Sequence, residues 1–349
     1  MTLPRLSICI PIYNFGAFIG ETLESIIGQA TDQVEIVVVD GASTDNTADV
    51  VRAFHAAFPR LKYHRLSERG GVDRDLATTV EMARGEYCWL MSGDDVLKSG
   101  AIRRILQEIR AGHDIYLCNR TECDRALNPY RDRLWLAPDV RDQIFTFSKK
   151  TDFIDYFTKS RSIGALFSYI STIVVRRPRW SEIRLPDQFV GTHFAHAFRL
   201  FSILLDNGVL KYVRDSLVFC RGDNDSFLEQ GVSGRYLIDF KGYLDLGRGL
   251  FPEAAVQGSF KKVMRREHPW YMLPKLRHEA RRAGTWHEMR ALLRAFDYSL
   301  NELAVIGLLG SSGLLMALAY GAKRFYRRLL LFRMSRMAHA WRRHAHRGF

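Results

Sequence analysis

The amino-acid sequence predicts an α/β protein: a Rossmann-like, mainly parallel sheet with flanking helices, followed by a helical C-terminal region. Three observations predict it. Apolar runs of strand type alternate with amphipathic helical segments three times within residues 1–111. Two of those runs, Val34 to Val39 and Tyr87 to Met91, break abruptly into carboxylates and small residues. From residue 235 to 300 the helical periodicity persists while strand signals are few. Alternation of this kind builds βαβ units, whose crossover helices cover both faces of a parallel sheet.

Taken in order, residues 6–12 (Leu-Ser-Ile-Cys-Ile-Pro-Ile) read as a strand, and Tyr13-Asn14 opens a loop. Phe18, Ile19, Leu23, Ile26 and Ile27 recur at helical spacing and predict a helix over 15–30. Residues 34–39 are a β-branched run suited to a buried strand, and 44–58 a helix with Ser43 or Thr44 as its cap. A short strand over 61–66, a turn at Gly70-Gly71 and a helix over 76–83 follow. Then come a strand over 87–91, a helix over 99–111 and a strand over 114–125. Residues 128–150 read as a polar, aromatic connection, 152–159 as a helix, 169–175 as a strand, 193–205 as a helix and 210–221 as the last strand.

The chain of 349 residues is 47% hydrophobic and 26% charged, which is ordinary for a globular protein with two domains or one extended domain. The net charge of +13 is concentrated in residues 323–349, which hold nine Lys and Arg and no Asp or Glu; without them the balance is +4. Nucleic-acid binding would need basic residues spread over a folded face, so it is not expected. Five cysteines without a C-x-x-C pair point to free thiols in a reducing compartment rather than to disulfides or zinc. No signal peptide is read at the amino terminus, so the expected location is cytoplasmic.

Residues 303–322 are apolar but interrupted by Gly307, Gly310, Ser311, Ser312 and Gly313. The basic tail after them interleaves Arg with Phe325, Tyr326, Leu329 to Phe332 and Trp341. That combination fits a helix lying on an anionic membrane surface. A true span and a helix buried in a bundle or oligomer are the alternatives.

Carboxylates at the carboxyl ends of neighbouring strands are placed to hold a nucleotide and a divalent cation. Ile8-Cys-Ile-Pro-Ile-Tyr-Asn14, Val39-Asp-Gly-Ala-Ser-Thr-Asp45 and Gly85-Glu-Tyr-Cys-Trp-Leu-Met-Ser-Gly-Asp-Asp95 resemble, in order and spacing, family 2 glycosyltransferases of the GT-A fold. Tyr116 to Arg120, Ser162 to Tyr169, Val190 to Phe198 and Cys220 to Phe227 add a narrower resemblance to the abequosyltransferases of O-antigen assembly.

The resemblance implies a nucleotide-sugar site. Asp40 would accept from a base amino group or a ribose hydroxyl. Tyr13 would flank the base, with Pro11, Asn14 and Ser43 shaping the loops around it. Asp45 would either contact ribose or compensate a helix dipole. In the metal-binding segment, usually D-x-D, this chain has Ser92-Gly93-Asp94-Asp95. Asp94 is the candidate ligand for Mg²⁺ or Mn²⁺, and Asp95 a catalytic candidate. Asp73 would read a base edge and Arg74 a phosphate, unless their segment is a solvated turn. Arg221 would grip the diphosphate, and Asp223 and Asn224 sugar hydroxyls, unless they too form only a turn.

The family's usual Glu-Asp pair is missing: no carboxylate lies between Asp187 and Asp206. His193 or His196 would then serve as a base, contact diphosphate or metal, or simply fill the core. A retaining transfer would not need the usual base. Trp135, Trp180 and Tyr169 are candidates for stacking on an acceptor sugar, and Phe167, Tyr169 and Ile170 for lining a dideoxysugar pocket.

The expected organisation is a GT-A domain over 1–227, a helical acceptor-side region over 228–302 and membrane-associating helices over 303–349. The expected reaction moves abequose or another 3,6-dideoxyhexose from a CDP donor to an undecaprenyl-diphosphate-linked oligosaccharide at the cytoplasmic face of the bacterial inner membrane. A UDP- or dTDP-hexose donor, a nucleotidyltransferase, and a non-catalytic basic binding protein are the other readings. Homo-oligomerisation is left open.

Overall fold

The computed structural model describes residues 3–224 and 231–311. The segment 225–230, which includes Asp225 and Ser226 of the last-strand loop, lies outside the described residues, as does the basic tail with its expected membrane contacts.

The first compact unit comprises residues up to 229 together with Ile238–Glu267. Its amino-terminal half contains β1 (Leu6–Ile12), α1 (Ile19–Ile27), β2 (Val34–Asp40), α2 (Thr47–Ala53), β3 (Leu61–Arg65), α3 (Val72–Met82), β4 (Tyr87–Leu90), β5 (Val96–Leu97) and α4 (Ala101–Glu108). β6 (Ile115–Cys123), β7 (Pro129–Arg133), β8 (Gln143–Thr146), α5 (Lys150–Lys159), β9 (Ile173–Arg176), α6 (Arg177–Glu182), α7 (Ala195–Leu205) and β10 (Val209–Cys220) follow. The sheet runs β3-β2-β1-β4-β9-β6-β10-β5, with β7 on β6 and β8 on β10. β3, β2, β1 and β4 are parallel neighbours. Every residue of β1, β2 and β4 is buried, as expected of strands covered on both faces.

β9 enters antiparallel between β4 and β6, so the sheet is parallel on its nucleotide side and mixed beyond it. β7 and β8 lie in the stretch expected to be a connection. β7 is mostly exposed and pairs only at the sheet margin, so its sequence never needed an apolar run. The strand expected from Tyr169 begins at Ile173, after a 3₁₀ turn over Ile170–Thr172. α3 starts at Val72 rather than Leu76, because Gly71 at φ +84° turns the chain into the helix.

The aromatic core joins α5, α7 and the following helices α8 (Gly231–Leu250) and α9 (Ala254–Glu267). Phe157 meets Phe251 and Phe260, each with ring centroids 5.4 Å away, and Phe201 meets Phe251 at the same distance. Packing of this kind assigns residues 238–267 to the sheet-bearing unit rather than to a separate acceptor-side region.

The second unit comprises Gln230–Leu237 and the chain from His268 onward. It contains α10 (Pro274–Arg282), α11 (Trp286–Ala295) and α12 (Leu300–Leu309). Ser299 opens α12 with a reciprocal capping box to Glu302. Tyr298 O–H donates to His268 O, and Arg277 Nη1 donates to Gly310 O at 2.6 Å. No helix among the described residues is long and apolar enough to cross a membrane.

Candidate active site

The carboxyl ends of β1 and β2 are laced together by side chains. Asp40 is fully buried; its Oδ1 accepts the Ser43 N–H at 2.7 Å and its Oδ2 the Tyr63 hydroxyl at 2.5 Å. Ser43 Oγ accepts the Asn14 N–H at 2.9 Å, and Asn14 Oδ1 accepts the Thr44 N–H at 2.8 Å. Asn14 and Ala42 adopt the left-handed conformation these tight returns require. Asp40 therefore organises the loop from within. Pro11 is buried in β1, beside Val39 of β2.

Asp45 behaves as a helix-start carboxylate. Its Oδ1 accepts the Thr47 N–H and its Oδ2 the Gly16 N–H, both at 3.0 Å. Burial works against its charge, but the bonds from Thr47 and Gly16 outweigh that and hold its pKa below the usual carboxylate value. Tyr13 presents a ring face that the Arg69 guanidinium covers at 4.0 Å. Asp73 accepts the His193 N–H at 2.8 Å, joining the start of α3 to the turn before α7, while Arg74 stays exposed beside Glu68.

At the end of β4, Ser92 Oγ donates to Asp94 Oδ1 at 2.5 Å and Asn224 Nδ2 donates to Asp94 Oδ2 at 2.8 Å. Gly93 is needed here, since a Cβ would lie 2.5 Å from Ile12 Cγ2. Asp95 is almost completely buried and accepts the hydroxyls of Tyr169 at 2.6 Å and Ser171 at 2.5 Å, plus the Arg221 N–H at 3.2 Å. Burial, reinforced by the Asp94 charge, pushes its pKa up to about 7. Asp95 thus holds β10, β4 and the Tyr169 turn together and acts as a positioning group.

Arg221 is also committed to protein. Nε donates to Asp94 O at 3.0 Å, Nη1 to Arg125 O at 2.7 Å, and Nη2 pairs with Glu21. Its guanidinium braces the Asp94 segment from behind. Asp223, at φ +55°, turns the chain so that Asn224 reaches Asp94.

His196 sits in the core of α7 at 9% exposure, its Nε2 2.8 Å from Phe167 O. Burial lowers its pKa, so the ring is neutral at pH 7. Trp135, Trp180 and Phe167 are buried as well, which removes them from an acceptor-facing surface. Trp135 is sealed by its Nε1 bond to Cys118 O at 2.7 Å and by the glycine Gly164 against its ring. Tyr169 and Ile170 stay half-buried.

The sequence reading gave no individual role to Tyr63, Asp75, Glu21, Ser171 or Arg120. The Arg120 guanidinium stacks on Tyr169 at 4.0 Å and adds positive charge beside Asp95. Of these, only Asp75 carried a local signal, an acid in the first turn of a helix after Gly-Gly.

Among the described residues no cluster of three or more His, Cys, Asp or Glu could hold a metal alone. Asp94 and Ser92 do offer two hard oxygens side by side. That donor set suits Mg²⁺ or Mn²⁺, which take one or two protein oxygens and complete their shells with phosphate and water.

The sequence profile described as Glycosyl transferase family 2 matches residues 7–174, from within β1 to within β9, and includes both acid clusters. The abequosyltransferase RfbV of Salmonella typhimurium is 36% identical over 275 residues, covering 76% of this chain and 81% of that protein. The glycosyltransferase GlyG of Streptococcus pneumoniae is 30% identical over 105 residues, 30% of this chain and 35% of that one. Among solved structures, S. aureus TarS 1-349 in complex with UDP-GlcNAc superposes with a TM-score of 0.61 at 15% identity, covering 84% of this chain and 81% of that one. At that identity the likeness concerns the fold, which is the GT-A arrangement. With the paired strand-end acids, this fold and a relative matched along most of both sequences, the chain belongs to glycosyltransferase family 2 and is a nucleotide-sugar-dependent glycosyltransferase.

Proposed function

We propose that the enzyme transfers a 3,6-dideoxyhexose, abequose in the first instance, from a CDP donor to a lipid-linked O-antigen oligosaccharide. The observation that carries this reading is the 36% identity to an abequosyltransferase across 76% of the chain, well beyond the nucleotide half. Within this reading Tyr13, Asp40, Ser43 and Asp73 frame the base and ribose, while Asn224 and Asp223 close the loop over Asp94. Asp94 and Ser92 hold Mg²⁺ or Mn²⁺, which when bound offsets the charge of the departing diphosphate. Tyr169 and Ile170 give the sugar pocket an apolar wall suited to a donor lacking two hydroxyls.

The acceptor hydroxyl attacks the anomeric carbon as the bond to the diphosphate oxygen breaks. α7 carries no acid in its first turn, so the usual carboxylate base is lacking there. A retaining displacement fits this, because the departing diphosphate oxygen can take the acceptor proton. The enzyme would work peripherally at the cytoplasmic membrane face, with the basic residues of 323–349 against anionic lipid and α12 packed in its own unit. Thermal stabilisation by CDP-, UDP-, GDP- and dTDP-sugars with Mg²⁺ or Mn²⁺ tests the donor. A CDP preference is expected; a UDP-hexose preference reduces the reading to another surface-polysaccharide transferase.

A further inference from the structure

Asp75 lies in the first turn of α3, and its side chain is 3% exposed. Its Oδ1 is buried without a hydrogen-bond partner, an arrangement that costs free energy unless something supplies a donor. The carboxylate is held in a cradle of glycines. A Cβ on Gly41 would come 2.4 Å from Oδ2, and one on Gly70 would come 2.8 Å from Oδ1. No larger residue fits either place without displacing the acid.

The groups facing this carboxyl are few. Burial raises its pKa to about 6 with Asp40 adding to the rise, while Arg74 and Arg69 pull the other way. Arg69 is the same side chain whose planar guanidinium covers Tyr13. A flat, exposed cation thus stands on the aromatic face next to a buried, unanswered acceptor. Ser67, Glu68 and Arg69 are exposed, so this short segment can shift without breaking the core.

We propose that Asp75 reads the donor's nucleobase, its Oδ1 accepting an N–H from an exocyclic amino group and so selecting cytosine over uracil. The inference rests on the CDP reading above and names the residue that would enforce it. The base takes the place of Arg69 on Tyr13, and its amino group, which projects beyond the ring, reaches the orphaned oxygen. Uracil offers a carbonyl oxygen at that corner. The lone pairs of that oxygen would face the Asp75 carboxylate, whereas the O2 carbonyl is common to both bases and does not distinguish them. A site built around a hydrogen bond rejects a ligand that cannot make it far more strongly than an apolar pocket rejects a misfit.

Calorimetry with the full chain tests this using CDP, UDP and the CDP analogue lacking the 4-amino group. The unaltered protein should bind CDP at least about tenfold more tightly than either of the others. Asp75→Asn, whose amide can donate to the uracil carbonyl, should shrink the CDP-to-UDP ratio by about tenfold or more. If the analogue with hydrogen in place of the 4-amino group binds the unaltered protein as tightly as CDP, the assignment of Asp75 is wrong whether or not the variant folds. A folded Asp75→Asn protein with an unchanged ratio overturns it equally, leaving the CDP reading intact. An unaltered protein that prefers UDP removes both.

Discussion

Asn224 Nδ2 donates to Asp94 Oδ2 at 2.8 Å, tying the loop after the last strand to the acid at the end of β4. The two residues are far apart in sequence, yet the bond leaves Asp94 gripped from both sides, since Ser92 holds the other oxygen. A carboxylate oriented in this way has little freedom left to lose when it ligates a cation or meets a diphosphate. The missing first Asp of the family's motif is met by a hydroxyl that orients the second.

Asp94→Asn keeps the shape but removes the charge: its oxygen can still accept from Asn224 while its amide donates to the Ser92 hydroxyl. Transfer should fall by a factor on the order of a hundred or more, as expected when charge stabilisation of a leaving group is lost. The melting temperature should stay near that of the parent. Turnover within a few-fold of the parent in a folded protein would show that Asp94 does not serve the diphosphate.

Asp95 makes a prediction about pH. Its carboxyl is raised from 3.8 to about 7, so between those values the folded state binds the proton more tightly than the unfolded chain. The stability it contributes is fully present below about pH 4 and is lost as pH rises through about 7. Asp95→Asn carries no titrating group, so its melting temperature should fall less than the parent's between pH 5 and 8. Parallel melting curves over that range would mean that Asp95 is ionised throughout.

How much of this was legible follows from which forces act locally. The runs Leu6–Ile12, Val34–Asp40 and Tyr87–Leu90 announced themselves because strands buried on both faces must be apolar throughout. Pro129–Arg133 did not, because an exposed marginal strand is held by backbone pairing that leaves no side-chain pattern. The positions of Asp40 and Asp94 at strand ends could be read directly. Their partners Tyr63 and Asn224 could not, since those bonds exist only once the chain has folded. The partners of Arg221 were hidden for the same reason: its charge suggested phosphate, and its nitrogens also reach Glu21, Asp94 O and Arg125 O in the fold.

His196 separates a base from a core residue. Its Nε2 is occupied by Phe167 O and its ring is kept neutral by burial, which describes a packing group. His196→Gln retains a donor at that position, so transfer should survive within about tenfold while the melting temperature drops, as for other core substitutions. If instead kcat/KM collapses and the acid limb of its pH profile disappears, the imidazole is the base after all.

The membrane reading is best tested by a cut that respects α12. Leu303 and Ile306 are buried, and Gly310 O receives Arg277, so removing everything after residue 302 would strip a packed helix from its unit. A chain ending at Ser311 keeps that packing and still loses all nine basic residues of 323–349. Each Lys or Arg near an anionic surface contributes about 1 kcal/mol of attraction. The shortened protein should therefore stop floating with vesicles that contain anionic phospholipid, yet melt as the full chain does. The full chain should float, lose that attachment as salt rises, and bind DNA more weakly than the vesicles at matched salt. Equal flotation of both proteins would move the membrane contact off the tail and onto the folded part, where Trp270, Tyr271 and Met272 stand exposed.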